Sequence, residues 1–212
     1  MTMESEKLNV QKRFAVVFDM CSSSSLIEEL IRTHNLGPMR NLIISVKRLL
    51  MRESQSLRFE VHKFIGDGWI LLFDVGTSGE ELIRFLERLS AHFKSEFERW
   101  VAPVLKRTPT VTGLTFGIDR GPLVPMVMQQ RIEYIGRPLN VAARLQTAIK
   151  DRDQRPQYKV LLSKNAYSAL RVPNGFRRTV IVRRSLRNIN EGKECQFVKV
   201  VLRVAGGAEG TS

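Results

Sequence analysis

Apolar positions run without a break through Phe14 to Phe18 (FAVVF), and so short a run of strand-forming residues predicts a central strand buried on both faces. The run ends at Asp19. Ser22 to Ser25 then offer N-cap oxygens, and apolar residues recur at helical spacing from Leu26 to Leu50, with Gly37-Pro38 marking a break partway. Leu57 to Ile65 alternates, Gly66-Asp67-Gly68 turns the chain, and Trp69 to Phe73 (WILLF) returns it, which predicts a hairpin. Glu80 to Trp100 has the period of an amphipathic helix, closed by Pro103 to Pro109. Leu114 to Ile118 and the stretch from Leu123 to Ile135 read as strands. Pro138 opens a helix through Ile149, where its fixed φ suits the first turn. A strand over Tyr158 to Leu162, a helix over Lys164 to Leu170 and strands near Arg177 to Val182 and Gln196 to Val204 complete the pattern.

The first two thirds thus run strand, helix, strand, strand, helix, strand, the split βαβ order. The expected fold class is α+β, a ferredoxin-like βαββαβ core with a C-terminal αββ extension. Residues 13–204 read as one domain, 1–12 as an N-terminal extension and 205–212 (AGGAEGTS) as a disordered tail. In this topology the end of the first strand and the turn between the second and third lie at one sheet edge, so Asp19 and Asp67 are expected to meet. The chain shows no internal repeat.

With 212 residues, 43% hydrophobic and 26% charged, the composition is that of a globular domain able to bury roughly 70% of its unfolded surface. Two cysteines, Cys21 and Cys195, and no signal-like N-terminus make a reducing cytoplasm the default. No apolar run reaches the ~18 residues of a spanning helix, which excludes membrane insertion by one. The net charge of +13, with five arginines between positions 177 and 187 and Lys47, Arg48 and Arg52 on an early helix, attracts any polyanion. A solvated basic face explains it equally well. Charge alone does not choose a partner.

Two carboxylates at one sheet edge, beside a Ser-rich turn entering a helix, suit a divalent metal with a polyphosphate, because Mg²⁺ and Mn²⁺ prefer carboxylate, carbonyl and phosphate oxygens. The amides of Cys21, Ser22, Ser23 and Ser24 would lie at a helix N-terminus, where free N–H groups favour anions. The competing reading makes Asp19 an N-cap and Asp67 a turn residue. In LRFEVHKFI strict alternation puts Leu57, Phe59, Val61, Lys63 and Ile65 on one face. A lysine closing an apolar stripe must snorkel to water, pair, or serve a ligand. Asn140 and Arg144 stand four apart and share a helix face. Asn can orient a hydroxyl, and Arg can grip phosphate oxygens through its fork of donors. His34, His62 and His92 lack metal spacing and read as ordinary surface or strand residues. Cys21 fits a small buried role, and Trp69 and Phe73 fit the core.

VVFDM with its small-residue turn, KFIGDGWILLF, GLTFGIDRGPLV and RIEYIGRPLNVAARL, in this order and spacing, resemble the class III nucleotidyl cyclase catalytic domain over Arg13 to about Arg203. The resemblance implies an enzyme that makes 3′,5′-cyclic nucleotides from nucleoside triphosphates in homodimers with interfacial active sites. Carried over position by position, it makes Asp19 and Asp67, with the Met20 carbonyl nearby, ligands of two Mn²⁺ or Mg²⁺ ions per site. Lys63 and Glu133 match the base-reading pair, Asn140 the ribose-orienting residue and Arg144 the residue that stabilises the transition state. Two departures stand out. Thr115 occupies the place of a phosphate-binding arginine, and the late phosphate-binding lysine has no clear match, leaving Arg187 or Lys193 as substitutes.

A donor and acceptor pair such as Lys63 and Glu133 can read any of the four bases. Along its whole length the chain resembles the pyrimidine cyclases of the Pycsar antiphage systems, which implies cyclic UMP, or cyclic CMP, made for a separate effector. A cytidylate or adenylate cyclase is the alternative within the fold. Rivals of other classes are a non-catalytic nucleotide sensor, disfavoured by the intact acid pair, and a nucleic-acid binder using the arginines at 177–187, which predicts steep salt dependence. A diguanylate-type synthase fits IGDGW poorly.

Overall fold

The computed structural model describes residues 9–173, 175–187 and 189–204. The expected tail, 205–212, and residues 1–8 of the expected extension lie outside them. In chain order the elements are β1 (Gln11–Met20), α1 (Ser23–Arg32), α2 (Leu36–Leu57), β2 (Phe59–Phe64), β3 (Trp69–Asp74) and α3 (Gly79–Glu96). A π-helical turn, Phe97–Val101, and a 3-10 turn, Ala102–Val104, follow α3. Then come β4 (Leu114–Met128), β5 (Arg131–Ile135), α4 (Arg137–Arg152), β6 (Lys159–Ser163), α5 (Lys164–Leu170), β7 (Thr179–Ser185) and β8 (Glu194–Val201).

One sheet runs β2-β3-β1-β4-β6-β8-β7, with β5 pairing outside this path to β4. Every pairing is antiparallel except β4 with β6. The strands before β5 therefore carry the βαββαβ order, extended by β6, α5, β7 and β8. The expected α+β class is the one observed.

β1 is central because both its faces can be covered. Phe14, Val16 and Phe18 enter the larger core with residues of α1, α2 and α3, while Ala15 and Val17 pack on the opposite face with Ala142 of α4. None of the residues from Phe14 to Phe18 is more than 2% exposed. Each fully buried Phe or Leu contributes roughly 1.5–3 kcal/mol of transfer free energy, which is why so continuous an apolar run sits at the sheet's centre. Ser78 caps α3 by accepting from the Glu81 N–H, and Ser163 caps α5 by accepting from the Ala166 N–H.

Several boundaries differ from expectation. The expected long helix breaks at Thr33–Asn35, not at Gly37-Pro38, which lie in the first turn of α2, where a missing N–H costs nothing. Leu57 ends α2 and does not begin a strand; Arg58 turns left-handed (φ 52°) and β2 starts at Phe59. The two strands expected over Leu114–Ile118 and from Leu123 are one strand up to Met128. It stays continuous because its partner changes midway: β1 pairs with it through Gln11 and Leu123, and β5 takes over at Val124 and Ile135. Ser22 supplies no cap oxygen. Its backbone is left-handed (φ 59°) and its hydroxyl donates to the Val111 carbonyl.

Candidate active site

The end of β1 and the β2–β3 turn are forced together by a glycine. A Cβ on Gly68 would overlap the Phe18 carbonyl, so only glycine lets the turn press against β1 where the chain reaches Asp19. Asp19 and Asp67 consequently lie close enough for each carboxyl to act on the other. Asp19 Oδ1 and Asp67 Oδ2 are buried and have no hydrogen-bond partner. Lys150 Nζ donates to Asp19 Oδ2 at 2.6 Å and to the Met20 carbonyl at 2.5 Å. Burial, then the Asp67 contact, push the Asp19 carboxyl up to about 6, with Lys150 pulling the other way.

Two orphaned carboxylate oxygens beside a main-chain carbonyl are a hard-oxygen set of the kind Mg²⁺ and Mn²⁺ accept. Among the described residues no group of three or more His, Cys, Asp or Glu side chains could hold a metal. The donor set therefore stays at two acids and a carbonyl, leaving further positions for water or phosphate oxygens. The residues present fit such an ion.

The expected phosphate turn is only partly available. The Cys21 N–H donates to the Gly113 carbonyl, and the Cys21 side chain is buried, its thiol pushed up to about 11 by burial. Cys21 therefore offers an anion nothing, which corrects the cradle drawn from its amide. The Ser22 hydroxyl is engaged with Val111, and Ser23 is buried. What remains is the first turn of α1, where the amides of Ser23, Ser24 and Ser25 have no intrahelical acceptor and no side-chain cap.

Lys63 does not share a face with Val61, contrary to strict alternation. Val61 pairs with Leu71 and Lys63 with Ile70, so the register shifts at His62, a β-bulge. The extra residue turns Lys63 from the face of Phe59 and Val61 to the opposite one, the face that packs on α4. There Lys63 Nζ lies 3.3 Å from Glu133 Oε2, reaching from β2 to β5. His62 is braced between acids, Nδ1 3.3 Å from Glu60 Oε1 and Nε2 3.6 Å from Glu133 Oε2, with its side chain 4% exposed. The Tyr134 hydroxyl donates to Glu60. His62, read as an ordinary surface or strand residue, does lie in β2, and its ring also packs against the pair.

Asn140 and Arg144 line one cleft of about 440 Å³, and Arg152, Arg184 and Arg187 line it too. Arg184 is steadied by Asp153, 3.8 Å away, and Asp153 also holds Lys159 and Lys199. Burial would raise the Asp153 carboxyl, but hydrogen bonds from these two lysines outweigh it and hold it below the usual carboxylate range. Lys193 is elsewhere, paired in solvent with Glu191 at 2.9 Å. Of the two expected substitutes, only Arg187 reaches the cleft. The arginines at 177–187 do not form one stripe either. Arg177 is spent in a two-pronged pair with Glu87, their side chains 9% and 11% exposed. Thr115 is fully buried, accepting from Gln146 Nε2 at 2.7 Å and donating to the Asp19 carbonyl.

Three groups thus form in one chain: the acids with Lys150, the Lys63–Glu133 pair, and the arginine cleft. Among the described residues no hydrogen bond or ion pair joins them. Lys150 and Arg152 escaped the sequence reading, which took Arg184 only as one of a basic run and His62 as an ordinary surface or strand residue. A lysine and an arginine ending a helix read as dipole partners, and nothing in a linear pattern shows that Lys150 meets a residue 131 positions away.

No protein-family model matches the sequence, and no curated protein matches it. Solved structures do. The adenylyl cyclase CyaB from P. aeruginosa is similar at a TM-score of 0.64 and 20% identity, covering 93% of this chain and 98% of that one. The guanylyl cyclase Cya2 gives 0.65 and 15%, with 97% and 98% covered. A bacterial light-regulated adenylyl cyclase gives 0.64 and 16% over 92% of this chain, which spans about half (53%) of that protein's length. The chain has the fold of the class III adenylyl and guanylyl cyclase domains.

Proposed function

We propose that this chain is a nucleotide cyclase that forms a 3′,5′-cyclic nucleotide and pyrophosphate from a nucleoside triphosphate, with UTP as the preferred substrate. The observation that carries this reading is the meeting of Asp19 and Asp67, each with a buried oxygen left unpartnered, inside a cyclase-domain fold. Asp19, Asp67 and the Met20 carbonyl would hold divalent ions, which supply Lewis-acid activation of the 3′-hydroxyl and charge neutralisation at the triphosphate when bound. Lys63 donates to and Glu133 accepts from the edge of the base. Asn140 orients the ribose. Arg144 meets negative charge developing at the transferring phosphorus, a contribution often worth ~3 kcal/mol. Arg152, Arg184 and Arg187 lie where they can hold the triphosphate, in place of the arginine that Thr115 replaces.

That no hydrogen bond or ion pair joins the three groups among the described residues supports a site built from two copies of the chain. Arg144 and Lys150 stand six positions apart on α4, about 9 Å along the helix, and the two side chains leave it on different sides. In a homodimer each acid pair would receive Lys63, Glu133, Asn140 and Arg144 from the partner. The whole-chain resemblance to pyrimidine cyclases supports UTP, a role in antiphage signalling and a separate effector for the product. Purified protein given each of the four triphosphates with Mn²⁺ tests the proposal. Cyclic UMP as the main product is expected; exclusive cyclic AMP overturns the base assignment, and no cyclic product from any triphosphate overturns the activity.

A further inference from the structure

The amine of Lys150 sits on the Met20 carbonyl and on the second carboxylate oxygen of Asp19, inside the set of groups assigned to a divalent ion. It donates to Asp19 Oδ2 at 2.6 Å and to the Met20 carbonyl at 2.5 Å, reaching there from the last turn of α4. It satisfies only part of the acid pair, since Asp19 Oδ1 and Asp67 Oδ2 stay buried and unpartnered. A lysine recruited merely to neutralise two acids would leave no such remainder. Its ammonium is a compact charge on a flexible four-carbon stem, and the side chain keeps 27% of its exposure. It can therefore leave toward solvent without disturbing α4, whose inward face is held by Val141, Leu145 and Ile149.

We infer that Lys150 is a tethered cation that holds the place of a divalent ion and must swing out before that ion can bind. This rests on the metal-dependent reading proposed above. While the lysine is in place the acids are screened, and ion entry exchanges one positive charge for two beside the same carboxylates and the same carbonyl. Lys150 thereby raises the metal concentration needed to load the site, and a triphosphate arriving with its own ion adds the phosphate oxygens that compensate for the lost ammonium contacts.

Mn²⁺ titration followed by the electron paramagnetic resonance of the free ion, on the full chain and on Lys150→Met, tests the inference. Binding about tenfold tighter or more is expected in the variant. A second measurement uses the unaltered protein: amine acetylation mapped by mass spectrometry is expected to be slow at Lys150 without metal and several-fold faster with saturating Mn²⁺, against unchanged rates at Lys159 and Lys199. Mn²⁺ bound with equal affinity by both proteins, or an acetylation rate at Lys150 that ignores bound Mn²⁺, overturns the tethered cation while leaving the metal site intact. Failure of both proteins to bind Mn²⁺ overturns the metal reading and this inference together.

Discussion

Lys63 Nζ and Glu133 Oε2 stand 3.3 Å apart because His62 is one residue too many in its strand. Without the bulge, the alternation of β2 would carry Lys63 into the core face with Val61. The pair is half in solvent, Lys63 52% exposed and Glu133 29%, so it contributes little to stability. Its value lies in presenting a donor and an acceptor side by side. Lys63→Ala is expected to cut kcat/KM for the preferred triphosphate by roughly 10- to 100-fold while costing the others less, because an unmatched base edge loses a hydrogen bond only where one was made. Competition among the four triphosphates measures this. A uniform loss for all four contradicts base reading by Lys63.

Asp67 and Arg144 occupy different groups of one chain, which makes complementation informative. Asp67→Asn and Arg144→Ala are each expected to lower kcat by roughly 100- to 1,000-fold or more. Mixed in equal amounts and allowed to exchange subunits, the two dead proteins are expected to recover about one quarter of the parent activity. Half of the dimers are then mixed, and each of these has one intact site. No recovery after verified exchange contradicts a site shared between copies.

The buried acid pair makes stability depend on pH in an unusual direction for a carboxylate. Asp19 is raised from 3.8 to about 6, so between those values the folded chain keeps a proton that the unfolded chain has lost. Its contribution is fully present below the lower value and is lost as pH rises through the upper one. In metal-free protein, the unfolding free energy relative to Asp19→Asn is expected to rise as pH falls from about 8 to about 5. Denaturant titrations across that range check this, and a constant difference between the two proteins refutes it.

Gly68→Ala places a methyl group against the Phe18 carbonyl, backbone against backbone, where no side chain can yield. The expected cost is about 1–3 kcal/mol of stability, with Mn²⁺ binding weakened further because Asp67 is carried away from Asp19. Thermal melts and Mn²⁺ titration read the two effects separately. Unchanged metal affinity in a folded Gly68→Ala protein contradicts the role given to this contact.

Much of the fold is visible in local pattern because it is governed by local pattern. FAVVF is buried on both faces, and the Gly-Asp-Gly turn joins β2 to β3. Lys164 to Leu170 forms its helix at the expected residues. The meeting of Asp19 and Asp67 followed from topology alone. What stayed hidden depends on partners distant in sequence. A bulge at His62 leaves no mark in an alternating string, since only the register against Leu71 and Ile70 exposes it. Continuity of β4 through Gly121 and Pro122 requires β1 as its partner up to Leu123 and β5 from Val124 on. Lys150 gives no sign of its partners, because an ion pair has no periodicity.

Beneath the Ala142 carbonyl, Gly117 leaves no room for even a methyl group, and this seats α4 on β4 as a stiff bar. One stretch of the bar carries Asn140 and Arg144 into the arginine cleft; its far end carries Lys150 onto the acids. The spacing between the arginine cleft and the acid pair is thus set by the backbone of a single helix and not by connecting loops.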